Sequence, residues 1–264
     1  MAEKALVTIA FGEPYESWWR EIARPTWDEY AARYGYEVIA FHESLDRSPR
    51  GSSRSPSWQK CLLPDLPEVR GFGRVVCMDC DIAINPDLAP DIAAVTPADK
   101  IGGVSSLSPP ALPAGTFPDT YYTDWGMPAD VGEVVNCGML VVSPQRHSWL
   151  LRKTYEEHED RGGSEWHYEQ RPLSYGIITN NLLHRLDRRF NRTLKLDIDR
   201  CYPFLPHLPV EGNERVIRMC IQSIYCRNYF THFAGYHRFM RFLDPAIRRF
   251  DEFGGIRSAD DGHQ

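Results

Sequence analysis

Two carboxylates follow an apolar run in the segment RVVCMDCDIAINPD, residues 74–87. If 74–80 is a strand, side-chain alternation places Asp79 and Asp81, together with Cys77, on one face. Two like charges this close repel each other unless a cation joins them. Hard oxygen ligands favour Mg²⁺ or Mn²⁺, which also bind substrate phosphates. The spacing therefore predicts a divalent metal site, and a solvated acidic turn is the alternative.

The same segment contains a cysteine pair, Cys77 and Cys80. Strand alternation directs the two thiols to opposite faces, so they would not converge on one ion. A redox CxxC normally opens a helix, which this segment does not. A zinc site would need a second pair of ligands, and the sequence contains no second CxxC to supply it. The aspartates are therefore the better candidates for chemistry.

Composition limits the class of protein. The chain has 264 residues, of which 42% are hydrophobic, enough for one sizeable core. A net charge of -6 argues against a nucleic-acid partner. The seven cysteines are scattered, and the sequence shows neither an apolar leader at the start nor a long apolar run. These features predict reduced thiols in a cytoplasmic protein. The sequon Asn191-Arg192-Thr193 is then a chance match.

Strand and helix patterns alternate along the chain. Short apolar, β-prone runs predict strands over 5–11, 36–41, 74–84, 99–106, 133–143, 192–197 and 228–235. Helical spacing and capping residues predict helices over 13–35, where Pro25 breaks or kinks the helix, and over 144–160, within 168–186 and over 244–253, with a short helix or turn over 58–69. This alternation predicts an α/β fold with a mostly parallel central sheet flanked by helices. Ligands in such sheets bind beyond the carboxyl ends of the strands, where CMDCD and NCG both lie.

Four segments in this order resemble the A-type, metal-dependent glycosyltransferases. The Asp79-x-Asp81 motif is similar to their metal-binding DxD, and VVNCGMLVVS to the strand under the donor sugar. YEQRPLS is similar to the head of the catalytic helix, and THFAGYHR to the motif with the histidine ligand. The set spans about residues 5 to 240 and resembles the retaining families typified by glycogenin and the bacterial lipopolysaccharide galactosyltransferases.

The resemblance implies the GT-A fold, a Rossmann-like nucleotide-diphospho-sugar transferase fold, in a single catalytic domain over 1–264. Residues 1–100 would bind the nucleotide sugar, 101–240 the donor sugar and acceptor, and 241–264 would form a C-terminal helix and tail. It also implies a set of site residues. The metal ligands would be Asp79, Asp81 and His232. Residues in contact with the donor would be Thr8, Ala10, Tyr15, Lys60, Asp79, Asn136, Gly138, Gly235 and Arg238. The catalytic residues would be Gln170 and, beside it, Glu169.

The implied reaction is transfer of a sugar from a UDP-linked donor to a hydroxyl of a glycan, glycolipid or small molecule, with retention at the anomeric carbon. Mn²⁺ is favoured over Mg²⁺ because it accepts mixed carboxylate and imidazole ligands more readily. Gln170 would stabilise the transition state of a same-face attack, whereas a two-step route would need Glu169 as nucleophile. The sequence departs from the family pattern at Arg238-Phe239-Met240, where Lys-Pro-Trp is usual, and at Glu169, where aspartate is usual.

Several alternatives stay open on sequence alone. His232 could be a structural histidine, Asn136 a turn cap, Lys60 a surface lysine, and Glu169 a cap for a helix beginning at Pro172. The aromatic loop 107–130 could stack an acceptor or act as a lid. The tail from 237 to 253 carries four arginines and three acids, which allows at most weak peripheral contact with the inner membrane face.

Other functions compete with sugar transfer. A sugar-binding module without catalysis would keep the crevice. A DxD phosphohydrolase would use the first aspartate as nucleophile, but that motif usually lies near the N-terminus. A sugar nucleotidyltransferase would need a Gly-rich basic loop after the first strand, where this chain has FGEPYE.

Overall fold

A computed structural model describes residues 3–161 and 168–249. The strands are β1 (Lys4–Ile9), β2 (Tyr36–Phe41), β3 (Arg74–Met78), β4 (Ile82–Ile84), β5 (Ile101–Ser105), β6 (Val135–Val142), β7 (Leu183–Arg185), β8 (Arg192–Thr193) and β9 (Phe230–His232). The α-helices are α1 (Tyr15–Trp18), α2 (Arg24–Tyr34), α3 (Pro49–Ser53), α4 (Pro144–Glu157), α5 (Gln170–Thr179), α6 (Leu194–Cys201) and α7 (Glu214–Tyr225). A 3₁₀-helix, Pro56–Asp65, covers most of the short helix or turn predicted over 58–69.

The central sheet has six strands in the order β2-β1-β3-β6-β5-β7. Three of its five pairings are parallel, and β6 runs antiparallel to both of its neighbours. Alternate side chains of β1 enter separate cores. Leu6 packs with α2 and α7 on one face, while Ala5 and Val7 pack with α4 and α5 on the other. The predicted α/β class, with a mostly parallel sheet between helices, is confirmed.

A second, three-stranded sheet in the order β4-β9-β8 lies beside the first. The prediction of one strand over 74–84 was wrong, because β3 ends at Met78 and β4 belongs to this smaller sheet. The chain turns between them, where the Asp79 N–H donates to Gly138 O at 2.8 Å and the Ile82 N–H to Asp79 O at 3.3 Å. The turn places the DxD motif where the two sheets meet.

The helix predicted over 13–35 forms as a continuous run of α1, a π-helical segment (Trp19–Ala23) and α2. Pro25 does not break this run. The segment just before it is π-helical instead of α-helical. The Arg24 N–H donates to Trp19 O, five residues back, and this wider turn accommodates a ring that lacks an N–H. Gly35, at φ 73°, ends the helix as predicted.

Two predictions near the C-terminus were wrong. Only Arg192–Thr193 of the predicted 192–197 strand is extended, and α6 begins at Leu194, whose apolar partner Ile198 is one helical turn away. Residues 244–249 do not form the predicted helix, and 250–253 lie outside the described residues.

The sequence analysis also missed α7, although apolar residues at Ile217, Ile221 and Ile224 follow helical spacing.

Across 3–161 and 168–249, no helix is long and apolar enough to cross a bilayer.

Candidate active site

The two aspartates of the DxD motif meet His232 where the sheets join. The β4–β9 pairing sets Ile82 opposite His232, which brings the imidazole beside the motif. His232 Nε2 lies 3.5 Å from Asp79 Oδ2 and 3.4 Å from Asp81 Oδ1. One ligand atom from each residue lies within 4.8 Å of the other two. Asp81 and His232 are buried, whereas the side chain of Asp79 is 33% exposed, so the cluster opens to solvent at Asp79.

The pKa shifts in the cluster favour a positive charge beside the two carboxylates. Burial by itself would raise the pKa of Asp81, but His232 and His237 outweigh it and hold the pKa of Asp81 well below its usual range. Burial would lower the pKa of His232, but the pKa is raised because Asp81 and Asp79 outweigh the burial. The raised pKa of His232 favours the charged imidazolium beside the two carboxylates, and a divalent ion would replace that positive charge.

The donor set fits such an ion. Two carboxylates and one imidazole suit a borderline-hard divalent metal better than a thiolate-loving one. Gly138 keeps the space beside them free of side-chain atoms. A Cβ built there would lie 2.4 Å from His232 Cε1 and 2.9 Å from Asp79 Oδ2.

Replacing Gly138 with alanine is expected to displace His232 or Asp79, because the new methyl group would overlap both side chains and the close-packed surroundings leave no free space to absorb it. We expect Mn²⁺ affinity, measured by isothermal titration calorimetry, to fall by roughly 10–100-fold, the range found when support for a metal ligand is lost. Gly71→Ala is the matched control, because a Cβ there meets no atom within 4 Å. Equal affinity in the two variants would contradict the metal assignment.

Lys60 lies between two carboxylates. Its Nζ is 2.6 Å from Asp79 Oδ1 and 3.1 Å from Glu169 Oε1, and it donates to Cys137 O at 3.1 Å. These contacts occupy all three ammonium protons. Burial would lower the pKa of Lys60, but the two carboxylates raise it well above its ordinary value, so Lys60 is charged. Lys60 is not the surface lysine of the alternative interpretation, because its side chain is buried and braces Asp79 and Glu169.

Glu169 and Gln170 begin α5. The helix starts at Gln170, not at Pro172, and Glu169 occupies its N-cap position without a side-chain capping hydrogen bond. Burial raises the pKa of Glu169, and Lys60 only partly opposes this effect. The Gln170 amide donates from Nε2 to Tyr121 OH at 3.2 Å, and its Oε1 accepts from the Cys137 N–H at 3.3 Å. Tyr121, from the aromatic loop, is therefore a neighbour of Gln170.

A chain of amides connects β6 with His232. Asn136 Oδ1 accepts from the Gly138 N–H at 2.9 Å and from Asn191 Nδ2 at 3.0 Å. Asn191 Oδ1 lies 2.8 Å from His232 Nδ1. Asn191 is 3% exposed, so the sequon is not accessible for glycosylation in this fold. Sequence reasoning did not connect Asn191 with the site.

His237, which the sequence analysis also missed, contacts the cluster. Its Nε2 lies 3.0 Å from Asp81 Oδ2, and its ring stacks on Trp18 with the centroids 6.1 Å apart. Gly235, at φ 74°, makes the left-handed turn that leads from His232 back toward Asp81. The only sequence signal was a second histidine five residues after His232.

Four residues expected to contact the diphosphate and the base lie in different surroundings: Arg238, Thr8, Ala10 and Tyr15. Arg238 donates to Pro206 O at 2.9 Å and lies over the Phe239 ring. Thr8 and Ala10 are fully buried, and Thr8 Oγ1 has no hydrogen-bond partner among the described residues. Tyr15 is 39% exposed and meets the edge of the His237 ring, with the centroids 5.1 Å apart.

Comparisons with known proteins show which fold the chain shares with solved structures. No protein-family model and no curated protein matches the sequence. A glycosyltransferase involved in glycosylation of the major capsid of PBCV-1 matches with a TM-score of 0.55 and 12% identity, over 90% of this chain and 100% of that one. This likeness establishes a shared fold and confirms the predicted GT-A class.

Two further solved structures match less well. Mouse xyloside xylosyltransferase 1 has a TM-score of 0.47 and 15% identity, over 88% of this chain and 98% of that one. The glycosyltransferase GlyE of Streptococcus pneumoniae TIGR4 has a TM-score of 0.49 and 12% identity, over 95% of this chain and 63% of that one.

Proposed function

We propose that this protein is a metal-dependent retaining glycosyltransferase that moves a sugar from a nucleotide-diphospho-sugar, UDP-linked, to an acceptor hydroxyl. The observation that carries the proposal is the cluster of Asp79, Asp81 and His232 at the junction of the sheets. The fold shared with a glycosyltransferase supports it. The free state of all seven cysteines supports the cytoplasm as the compartment.

The proposed metal is Mn²⁺, with Mg²⁺ as the alternative, held by Asp79, Asp81 and His232. When bound, it would neutralise the diphosphate and stabilise it as a leaving group. Lys60 would keep Asp79 in place for this role. His237, which contacts Asp81, and Tyr15, which meets the His237 ring, would border the nucleotide. We therefore propose His237 for the diphosphate, where the family resemblance had suggested Arg238.

In the proposed reaction, the bond between the anomeric carbon and the diphosphate oxygen breaks, and a bond to the acceptor oxygen forms on the same face. The acceptor proton passes to the leaving phosphate. Gln170 would stabilise the positive charge that develops on the sugar. Glu169 is the alternative nucleophile, but Lys60 already engages its Oε1. A glycosyl adduct on Glu169, found by intact mass, would establish the two-step route instead.

A cavity of about 240 Å³ lies within the aromatic loop, and we propose it for the acceptor. Phe117 and Tyr121 line it, as do Asp119, Asp130 and Glu133, and no lysine, arginine or histidine is found among the described residues that line it. Tyr121 also accepts the hydrogen bond from Gln170, which connects the cavity with the reacting centre. We propose an uncharged acceptor, a sugar ring or an aromatic aglycone, because Asp119 and Asp130 would repel an anionic one, whereas the charge of Glu133 is paired with Arg185 at 2.6 Å.

Nucleotide binding tests the proposal most directly. UDP with Mn²⁺ is expected to raise the melting temperature, since at 100 times Kd a ligand stabilises the native state by about 2.7 kcal/mol. For a chain of this size that corresponds to roughly 5–10 °C. The measurement compares UDP, GDP and ADP, each with and without Mn²⁺, in the wild type and in Asp81→Ala. A thermal shift with GDP instead of UDP would mean that the donor is a GDP-linked sugar. No thermal shift with any nucleotide would contradict the proposal.

Release of UDP from a UDP-sugar separates the enzyme from a binding module. The enzyme is expected to hydrolyse its donor slowly without acceptor, whereas a non-catalytic module would give the thermal shift and no UDP. A DxD phosphohydrolase would require Asp79 as a free nucleophile. The contacts of Asp79 with Lys60 and His232 make that role less favourable.

A further inference from the structure

We propose that Asn191, supported by Asn136, is a positioning residue that fixes the tautomer and ring orientation of His232. The proposal rests on the metal-binding part of the proposed function, because His232 is the nitrogen ligand there. Asn191 itself would touch neither metal nor substrate. It would act through His232, on which of the two ring nitrogens carries the proton.

The direction of the amide chain follows from one backbone group. The Gly138 N–H can only donate, so the Asn136 side-chain atom 2.9 Å away must be its carbonyl oxygen. The Asn191 atom 3.0 Å from that oxygen must then be the amide nitrogen. The remaining amide atom of Asn191 is therefore an acceptor, and it faces His232 Nδ1 at 2.8 Å.

An acceptor at this distance requires a proton on Nδ1. In the neutral ring, Nε2 then carries the lone pair. Nε2 faces the carboxylates, at 3.5 Å from Asp79 Oδ2 and 3.4 Å from Asp81 Oδ1. The three hydrogen bonds thus direct the metal-binding lone pair into the cluster, the function of an outer-shell partner of a metal-ligating histidine.

Burial and strand pairing hold the chain of amides in place. Asn191 and His232 are each 3% exposed, which leaves little access for water to replace the amide. Asn191 directly precedes β8, whose Thr193 pairs with His232. Gly138 has a second role here, since a Cβ on it would lie 3.0 Å from Asn136 Oδ1.

The tautomer of His232 in the wild type tests the proposal without metal or nucleotide. Long-range ¹H–¹⁵N correlation spectra of the metal-free protein, at a pH where the ring is neutral, are expected to show the proton on Nδ1. A difference spectrum against His232→Gln assigns the signals. A proton on Nε2 would overturn the proposal. The measurement uses no nucleotide, so it keeps its meaning if the glycosyltransferase proposal fails.

Asn191→Leu replaces both polar atoms with methyl groups on a side chain of the same branching. We expect the Nε2-protonated tautomer to become populated and Mn²⁺ affinity, measured by calorimetry, to fall by roughly 10–100-fold. Asn228→Leu is the matched control, since Asn228 is buried and its amide donates to Ile224 O of α7 at 2.7 Å and not to a residue of the cluster. It should lower the melting temperature and leave the tautomer and Mn²⁺ affinity unchanged.

Asn191→Asp is the conservative variant, because its carboxylate still accepts from Nδ1 although it cannot donate to Asn136. It is expected to retain the Nδ1-protonated tautomer, which Asn191→Leu loses. If Asn191→Leu keeps the wild-type tautomer, Asn191 is merely structural and the proposal is wrong. If that variant does not fold, the wild-type spectrum and Asn191→Asp decide the question.

Discussion

Replacing Asp81 with alanine is expected to abolish sugar transfer while the protein remains folded. Asp81 combines two contacts, with His232 at 3.4 Å and His237 at 3.0 Å, and supplies a proposed metal ligand. Its loss would remove both the ion and the charge stabilisation of the leaving diphosphate. Loss of a single preorganised charge-stabilising group typically costs about 10²–10³ in kcat, and loss of the ion should cost at least the upper value. The measurement is UDP release with saturating Mn²⁺ and donor.

Folding of this variant must be established separately. Asp81→Asn keeps the shape and one acceptor oxygen but lacks the charge, so it should be as inactive as alanine with a smaller change in melting temperature. Both variants should lose the Mn²⁺-dependent thermal shift with UDP. Full activity of Asp81→Ala in added Mn²⁺ would show that the DxD motif does not hold the metal.

Replacing Lys60 with methionine is expected to cause the largest loss of stability. The change leaves Glu169 without its buried cation and removes the partner of Asp79 Oδ1. Breaking a buried ion pair by removing one partner typically costs about 3–5 kcal/mol. Urea unfolding at neutral pH measures it. Lys153→Met is the control, since the Lys153–Glu157 pair is more than half exposed on both sides and exposed pairs contribute about 0–1 kcal/mol.

The pH dependence of the free energy of unfolding identifies the group responsible for the loss of stability in Lys60→Met. Burial already raises the pKa of Glu169 above its ordinary 4.5, and without Lys60, which lowers it, that pKa should rise further. A carboxyl group with a raised folded pKa contributes its stability below the unfolded value and loses it as pH rises through the folded value. The deficit of Lys60→Met should therefore grow as the pH rises above the wild-type pKa of Glu169, which itself lies above 4.5, and should shrink at lower pH.

A double variant provides a further check on Lys60. Adding Glu169→Gln should recover part of the loss, because no buried carboxylate at 169 then lacks a cation. A deficit in Lys60→Met that is independent of pH, with no recovery in the double variant, would mean that the lysine stem, not its charge, stabilises the fold.

The sequence by itself determined much of this protein. Apolar runs gave β1, β2 and β6 within a residue or two, because a buried strand needs a continuous apolar segment that is visible locally. Gly35 marked the end of α2 for a similarly local reason, the left-handed backbone at a helix terminus. Asp79 and Asp81 were found from their spacing after such a strand, and His232 from motif order.

Only the tertiary structure decided how these residues are connected. Lys60 donates to a carbonyl 77 positions away, and Asn191 to an amide 55 positions away. The split of 74–84 between two sheets likewise depends on β9, which lies far along the chain and pairs with β4. A local pattern records which side chains are apolar or charged, but the partner of a buried polar group is set by packing of distant segments. The roles of Lys60, Asn191 and His237 therefore emerged only when the two sheets were placed side by side.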